Sequence, residues 1–287
     1  MTGAEPANRF VFIGGLHRSG TTMLARHMAE HPAVSGFEGT GVPADEGQHL
    51  QTVWPKPSAA QQAGRFAFDP HAHLTESSPL VTAAGRAQLL AQWTPHWDMG
   101  RPWLLEKSPP NLLMMRFLQA MFPGARFIAV LRHPVAVACA TQKWSGSRPH
   151  DLIRHWVVAH ERFAADAPYV DHLLVIRYED LVAEPDRVMA RVFGFLDLDD
   201  PHHGRDVGEG RNADNFLTDR AVRTGVNEHY FRSWDERRAG IARRVYLELV
   251  ARIYERRINR FGYSIREPRR APSDTVLLAR QATVSVH

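Results

Sequence analysis

Residues 12–22, FIGGLHRSGTT, place Gly15 and Gly20 five positions apart after a short apolar run, with Ser19, Thr21 and Thr22 around the second glycine. Where the phosphate loop G-x-x-x-x-G-K-[ST] carries its lysine, this chain has Thr21, and the cation inside the loop is Arg18. A glycine-rich turn leading from a strand into a helix aims backbone N–H groups at one point, and the helix dipole adds roughly half a positive charge there. Such a cradle holds a phosphate or sulfate group with or without the lysine. The missing lysine does weaken a reading as an ATP- or GTP-cleaving loop. There the lysine neutralises the transferred phosphate, beside a magnesium ion held by a hydroxyl and a Walker-B acid.

Further along, Lys107 follows the run Trp103–Glu106, and Arg132 follows Arg126–Leu131. Both runs read as strands, so both cations stand at the carboxyl edge where open α/β sheets bind ligands. The forked donors of an arginine suit a phosphate. Three groups able to accept a proton, Glu38, Glu46 and His49, come after the first helical segment. On a helix Glu46 and His49, three apart, share a face, and either could serve as general base.

Positioning these groups requires strands ending at one edge. Phe10–Ile13, Val34–Phe37, Trp103–Glu106, Arg126–Leu131 and Leu173–Ile176 read as short buried strands. Helical patterns cover Thr21–Glu30, Pro79–Trp97, Asn111–Phe122, Pro134–Trp144, Asp151–Ala165 and Leu181–Leu196, the last interrupted near Pro185. Another helix is expected to begin near Asp45. A long helix over Ile241–Phe261 places Ile241, Val245, Leu249 and Ile253 on one face. Apolar strands alternating with helices imply parallel βαβ units, covered on both faces. The expectation is a single α/β domain over 1–287, three-layered, with four or five parallel strands in a P-loop NTPase-like arrangement. Its folded core would run from 9 to 265 and a loose tail from 266 to 287.

With 35 basic against 31 acidic residues the net charge is +4, which argues against nucleic acid as partner and suits a small anionic ligand. No run of about 18 apolar residues exists to span a membrane. A single cysteine, Cys139, rules out an internal disulfide and fits a cytoplasmic location. No Cys/His grouping has zinc spacing. Of three lysines, Lys143 reads as a surface charge. The aromatics Trp54, Phe66, Phe68, Trp93, Trp97 and Trp103 are read mostly as core, with some lining an apolar acceptor pocket.

HRSGTT followed by a helix and His31-Pro32 resembles the 5′-phosphosulfate loop of sulfotransferases that use 3′-phosphoadenosine 5′-phosphosulfate (PAPS). The resemblance extends to LLEKSPPNLLMMRFLQAMFPGARFI, to FIAVLRHPVAVACATQKW, similar to the family's 3′-phosphate segment, and to VIRYEDLVAEP. Together these cover most of residues 10–196 in order. The resemblance implies transfer of a sulfonate from PAPS to a hydroxyl of a small-molecule, lipid or glycan acceptor of partly apolar character. It implies no metal, and a homodimer is compatible with it.

By the same resemblance Ser19, Gly20, Thr21 and Thr22 hold the 5′-phosphate, Arg18 reaches the sulfonate or bridging oxygen, and Lys107 lies near the sulfonate. Arg132 takes the 3′-phosphate. An acid at the distance of Glu46, with His49 and Glu38 behind it, takes the acceptor proton. The family commonly has a serine eight residues after this arginine. Here that position is Ala140, and Thr141 lies one step on, about 100° around a helix. Arg223-Thr224-Gly225, with Trp234 downstream, resembles the late loop that closes on the nucleotide and assigns Arg223 to the 3′-phosphate. Two other readings stay open: a small-molecule kinase with an altered phosphate loop, and a non-catalytic nucleotide-binding relative.

Overall fold

The computed structural model describes residues 8–55, 63–200, 227–238 and 240–273. Five strands form one sheet: β1 (Arg9–Gly15), β2 (Val34–Ser35), β3 (Trp103–Lys107), β4 (Arg126–Leu131) and β5 (Leu173–Arg177). All pairings are parallel, in the order β2-β3-β1-β4-β5. Successive side chains of a strand point to opposite faces, and β1 uses both. Phe10 and Phe12 enter one core with Trp93, Phe122 and Trp156, while Val11 and Ile13 enter a second with Leu24, Met28 and Val192. The second core is covered by α1 (Thr21–Ala29), α6 (Tyr178–Ala183) and α7 (Pro185–Phe195). The first is covered by α2 (Ala83–Trp93), α3 (Met115–Met121), α4 (Pro134–Ser145), α5 (Pro149–Asp166), α8 (Glu228–Arg238) and α9 (Ile241–Asn259). This is the three-layer α/β architecture with a parallel five-stranded sheet implied by the sequence. Among the described residues no helix is long and apolar enough to cross a membrane.

Three expectations are corrected. No helix starts near Asp45: Pro43–Asp45 and Gly47–His49 are single 3-10 turns, and Ala44 and Asp45 have φ of 53° and 50°. Left-handed residues break helical propagation. The segment expected over Pro79–Trp97 is α-helical only from Ala83, where Thr82 accepts from the Gly85 N–H, to Trp93, and a 3-10 turn, Thr94–His96, follows. Asn111–Phe122 divides into a 3-10 turn, Pro109–Leu113, and α3, with Met114 outside helical geometry between them.

On α9 the expected row shares one face, and that face is the exposed one. The row Ile241, Val245, Leu249 and Ile253 is 84%, 56%, 53% and 55% exposed. Leu247, Val250, Ala251, Tyr254 and Ile258, on the opposite side, are the buried ones. Of the aromatics between 50 and 103, Trp54, Phe66, Trp93, Trp97 and Trp103 are core and Phe68 is partly exposed. Arg266–Ser273 continues from the core, and the Ser273 N–H donates to the Gly262 carbonyl.

Candidate active site

β1 delivers the chain into the loop 16–20, and α1 begins at Thr21. The turn is closed by the Ser19 N–H donating to the Leu16 carbonyl at 3.0 Å. Gly20 sits at φ 100°, and a Cβ there would lie 2.4 Å from the Tyr178 ring, so both conformation and space require glycine. Its carbonyl accepts the first helical bond, from Leu24. The N–H groups of Thr21, Thr22 and Met23 precede the first intrahelical donor and face the loop. Ser19 Oγ is buried without a hydrogen-bond partner. An orphaned hydroxyl beside free helix N–H groups fits a phosphate.

Arg132, at the end of β4, is buried beside this loop. Its Nη1 donates to the Arg18 carbonyl at 2.8 Å, and its guanidinium lies 3.8 Å above the Tyr178 ring. Nε and Nη2 both donate to Asn227 Oδ1, at 2.9 and 2.6 Å. Asn227 Nδ2 in turn donates to Glu179 Oε1 at 2.6 Å. Glu179 also accepts from the His133 N–H and the Tyr263 hydroxyl. His133 caps α4: its Nδ1 accepts from the Val135 N–H, so Nε2 carries the proton donated to the Ser264 carbonyl. Burial pushes this imidazole down to about 3, so it stays neutral. Asn227, Glu179 and Tyr178 were not singled out for this site by the sequence, and their contacts with residues 46 to 158 positions away explain why.

Arg18 has a φ of 69° and turns its guanidinium onto the Trp144 ring, 4.5 Å from the centroid. Thr141 is buried on α4 with Oγ1 unpartnered; it packs beside His17 and His155, whose Nδ1 and Nε2 are also unpartnered. None of its hydrogen bonds reaches Arg132. Arg223 lies outside the described residues.

The proton-accepting groups come together at the end of β3. Ile13 and Lys107 are register partners, so Lys107 stands one strand from the start of the loop. Its Nζ donates to Glu46 Oε1 at 3.1 Å and to the Ala44 carbonyl at 2.9 Å, and both side chains are buried. Glu46 Oε2 accepts from Gln48 Nε2 at 2.5 Å and lies 3.7 Å from His49 Nε2. The pairing expected of Glu46 and His49 therefore exists, made by a turn rather than a helix face. Glu38 is exposed and has no part in it. His17, the residue before Arg18, lies within the electrostatic reach of this group. Burial lowers its pKa, Glu46 opposes that shift, and Lys107 and His49 add to it. Among the described residues, no group of three or more His, Cys, Asp or Glu side chains is placed to hold a metal ion.

What holds Glu46 in place is its neighbour across β3. Glu106 Oε1 accepts from the Gly47 N–H at 2.9 Å and the Ser108 hydroxyl at 2.5 Å, and Oε2 accepts from Asn111 Nδ2 at 2.5 Å. Asn111 Nδ2 also donates to the Ile13 carbonyl, and the Gln48 N–H donates to Ser108 Oγ. The turn carrying Glu46 is thus pinned to β3 and to the end of β1. Burial pushes the Glu106 carboxyl up to about 7, against the Ser108, Asn111, Lys107 and Gly47 contacts that favour its ionised form. From pH 4.5, its ordinary value, to about 7 the native chain keeps a proton that the unfolded chain has released. Stability from this group therefore falls as pH rises through that window.

A Cβ on Gly47 would lie 2.6 Å from Glu106 Cγ and Oε1, which three hydrogen bonds hold still. Gly47→Ala is expected to cost about 1–3 kcal/mol by overpacking, measured by urea unfolding. It should lower the rate of any reaction using Glu46 more than it lowers affinity at the phosphate loop. Glu106→Gln should flatten the slope of stability between pH 5 and 8. An unchanged slope would mean the carboxyl titrates normally.

A model of the Sulfotransferase family matches residues 11–202. Protein-tyrosine sulfotransferase A of Caenorhabditis elegans is 26% identical over 224 residues, covering 72% of this chain and 56% of the relative. Nodulation protein NoeE of Sinorhizobium fredii is 23% identical over 232 residues, covering 68% and 51%. The chain thus spans about half the length of these two curated relatives. Among solved structures, the Sulfotransferase Domain from the Curacin Biosynthetic Pathway aligns with a TM-score of 0.43 at 19% identity, covering 68% of this chain and 76% of that one.

Proposed function

The chain belongs to the Sulfotransferase family, and from that premise we propose that it moves a sulfonate from PAPS to the hydroxyl of an alcohol or phenol. The observation that carries this reading is the buried Glu46–Lys107 pair, one strand from a phosphate-type loop that Arg132, at the end of the strand beyond, supports. When bound, PAPS supplies a sulfonate activated by its phosphate leaving group. The loop N–H groups with Ser19, Thr21 and Thr22 hold its 5′-phosphate, and Arg132 its 3′-phosphate.

Glu46 accepts the proton of the attacking hydroxyl as the new S–O bond forms. The old bond to the bridging oxygen breaks, leaving 3′-phosphoadenosine 5′-phosphate. Lys107 and, once released from Trp144, Arg18 are the cations assigned to the growing negative charge. Donors aimed at developing charge contribute on the order of 100-fold or more in rate. His49, 3.7 Å from Glu46, is the alternative base. The acceptor is a small molecule, lipid or glycan of partly apolar character, and no metal takes part. The buried, unbridged Cys139 fits a cytoplasmic setting.

The test is turnover of PAPS with a panel of phenols, alcohols, glycans and tyrosine peptides. Product bisphosphate should form only with an acceptor present, and without magnesium. Magnesium-dependent ATP turnover with no use of PAPS would replace this reading with a kinase.

A further inference from the structure

A cavity of about 640 Å³ lies between α4, the start of α5, α8 and α9. It falls within the range of small-molecule sites. Among the described residues four cations line it, Lys143, Arg148, Arg237 and Arg243, and no carboxylate does. Among the described residues none of the four has a carboxylate partner. Arg237 donates to Gln142 Oε1, which is uncharged. Three arginines elsewhere are paired with acids: Arg116 with Glu76 and Asp166, Arg257 with Glu161, and Arg269 with Glu228 and Asp235. Like charges gathered round one hollow repel, and an anion within it removes the repulsion.

The floor is of a different character. Cys139 and Leu247 are buried, and Pro149 and the Tyr246 ring complete an apolar wall. The Tyr246 hydroxyl is fixed at the rim, accepting from the His150 N–H at 3.2 Å. Burial raises the Cys139 pKa while Arg237 and Lys143 pull it down, so both cations project their field onto the floor. Guanidinium forks above an apolar base suit an oxyanion attached to a ring or chain.

The cavity stands apart from the phosphate loop. Val137 and Thr141 of α4 pack against Leu16 and His17 of that loop. Cys139, Gln142 and Lys143 of the same helix face the cavity. The body of α4 therefore lies between the two.

We propose that this cavity binds an organic oxyanion, a phosphate or sulfate group carried on an apolar ring or chain, at a site separate from the phosphate loop. The inference does not depend on the transfer reaction, because its test reads binding alone.

The test is calorimetry on the full chain with 1-naphthyl phosphate and 1-naphthyl sulfate, against neutral naphthamide and inorganic phosphate, at 50 and 200 mM salt. At least one ester should bind tenfold or more tightly than either control, and weaken at the higher salt; the better of the two identifies the oxyanion. The double variant R148A/R243A changes two exposed side chains that have no acidic partner among the described residues, and it should fold with an unchanged melting temperature. It should lose ester affinity tenfold or more while keeping the affinity for 3′-phosphoadenosine 5′-phosphate. Three results would overturn the proposal: no ester binding, ester binding unaffected in the double variant, or displacement of the ester by 3′-phosphoadenosine 5′-phosphate at one equivalent.

Discussion

Glu46→Gln should slow sulfonate transfer by about 100-fold or more, the usual worth of a positioned general base, and leave the affinity for 3′-phosphoadenosine 5′-phosphate within about twofold. The substitution preserves shape. A carboxamide oxygen still accepts from Lys107 Nζ, whose second acceptor, the Ala44 carbonyl, is untouched. Gln48 can turn its own amide to meet the new NH2 group. What disappears is the negative charge, and with it the basicity of the carboxylate and the ionic half of its bond to Lys107. Single-turnover measurement with saturating donor isolates the chemical step from product release. If the rate survives, the proton goes elsewhere, and His49 is the next group to remove. If rate and donor affinity fall together, Glu46 holds the turn rather than the proton.

Arg132→Ala should weaken 3′-phosphoadenosine 5′-phosphate by about 100-fold, since hydrogen bonds to charged groups contribute roughly 1.5–3 kcal/mol each. Adenosine 5′-phosphate, lacking the 3′ group, should lose far less. The ratio of the two affinities is the informative quantity, because Arg132 also supports the Arg18 carbonyl and Asn227. Damage to the loop would weaken both ligands alike. Arg132→Lys keeps the charge and loses the fork, so it should fall between wild type and alanine. A variant that prefers the bisphosphate as strongly as wild type would remove Arg132 from the 3′-phosphate. The Asn227 amide, which takes two of the guanidinium's donors, would compete with that phosphate. Asn227→Ala is therefore the natural companion, expected to tighten rather than weaken the bisphosphate.

Parts of the site were legible because they are local. The phosphate loop is contiguous, and its glycines, hydroxyls and following helix announce the conformation. Arg132 and Lys107 could be placed because each ends an apolar run, and strand ends define an edge. The link between Glu46 and Lys107 was not legible, because 61 residues separate them. The Glu106 clamp was hidden for a further reason. A carboxylate inside WLLEK reads as a strand-end acid. Its burial follows from the pairing of β3 with β1, where Glu106 stands beside Phe12, and its bonds from the turn folded over the strand end.

The amino-acid sequence by itself determined the class of sheet, the order of its strands along the chain, the phosphate loop and the family. Each depends on residues close together or on the period of apolar positions, which fix local conformation. The tertiary structure alone decided which partners those elements meet. On α9 two apolar rows compete with the same period, and the sequence favours neither. Packing against α5 and α8 buries Leu247, Val250 and Tyr254 and leaves Ile241, Val245, Leu249 and Ile253 outside. Arg18 likewise belongs to the loop by sequence, and a left-handed backbone turns its charge outward to Trp144. Periodicity fixes the direction of a side chain relative to its own element. Only the docking of elements against one another fixes what it touches, because burial is shared between segments that no local pattern connects.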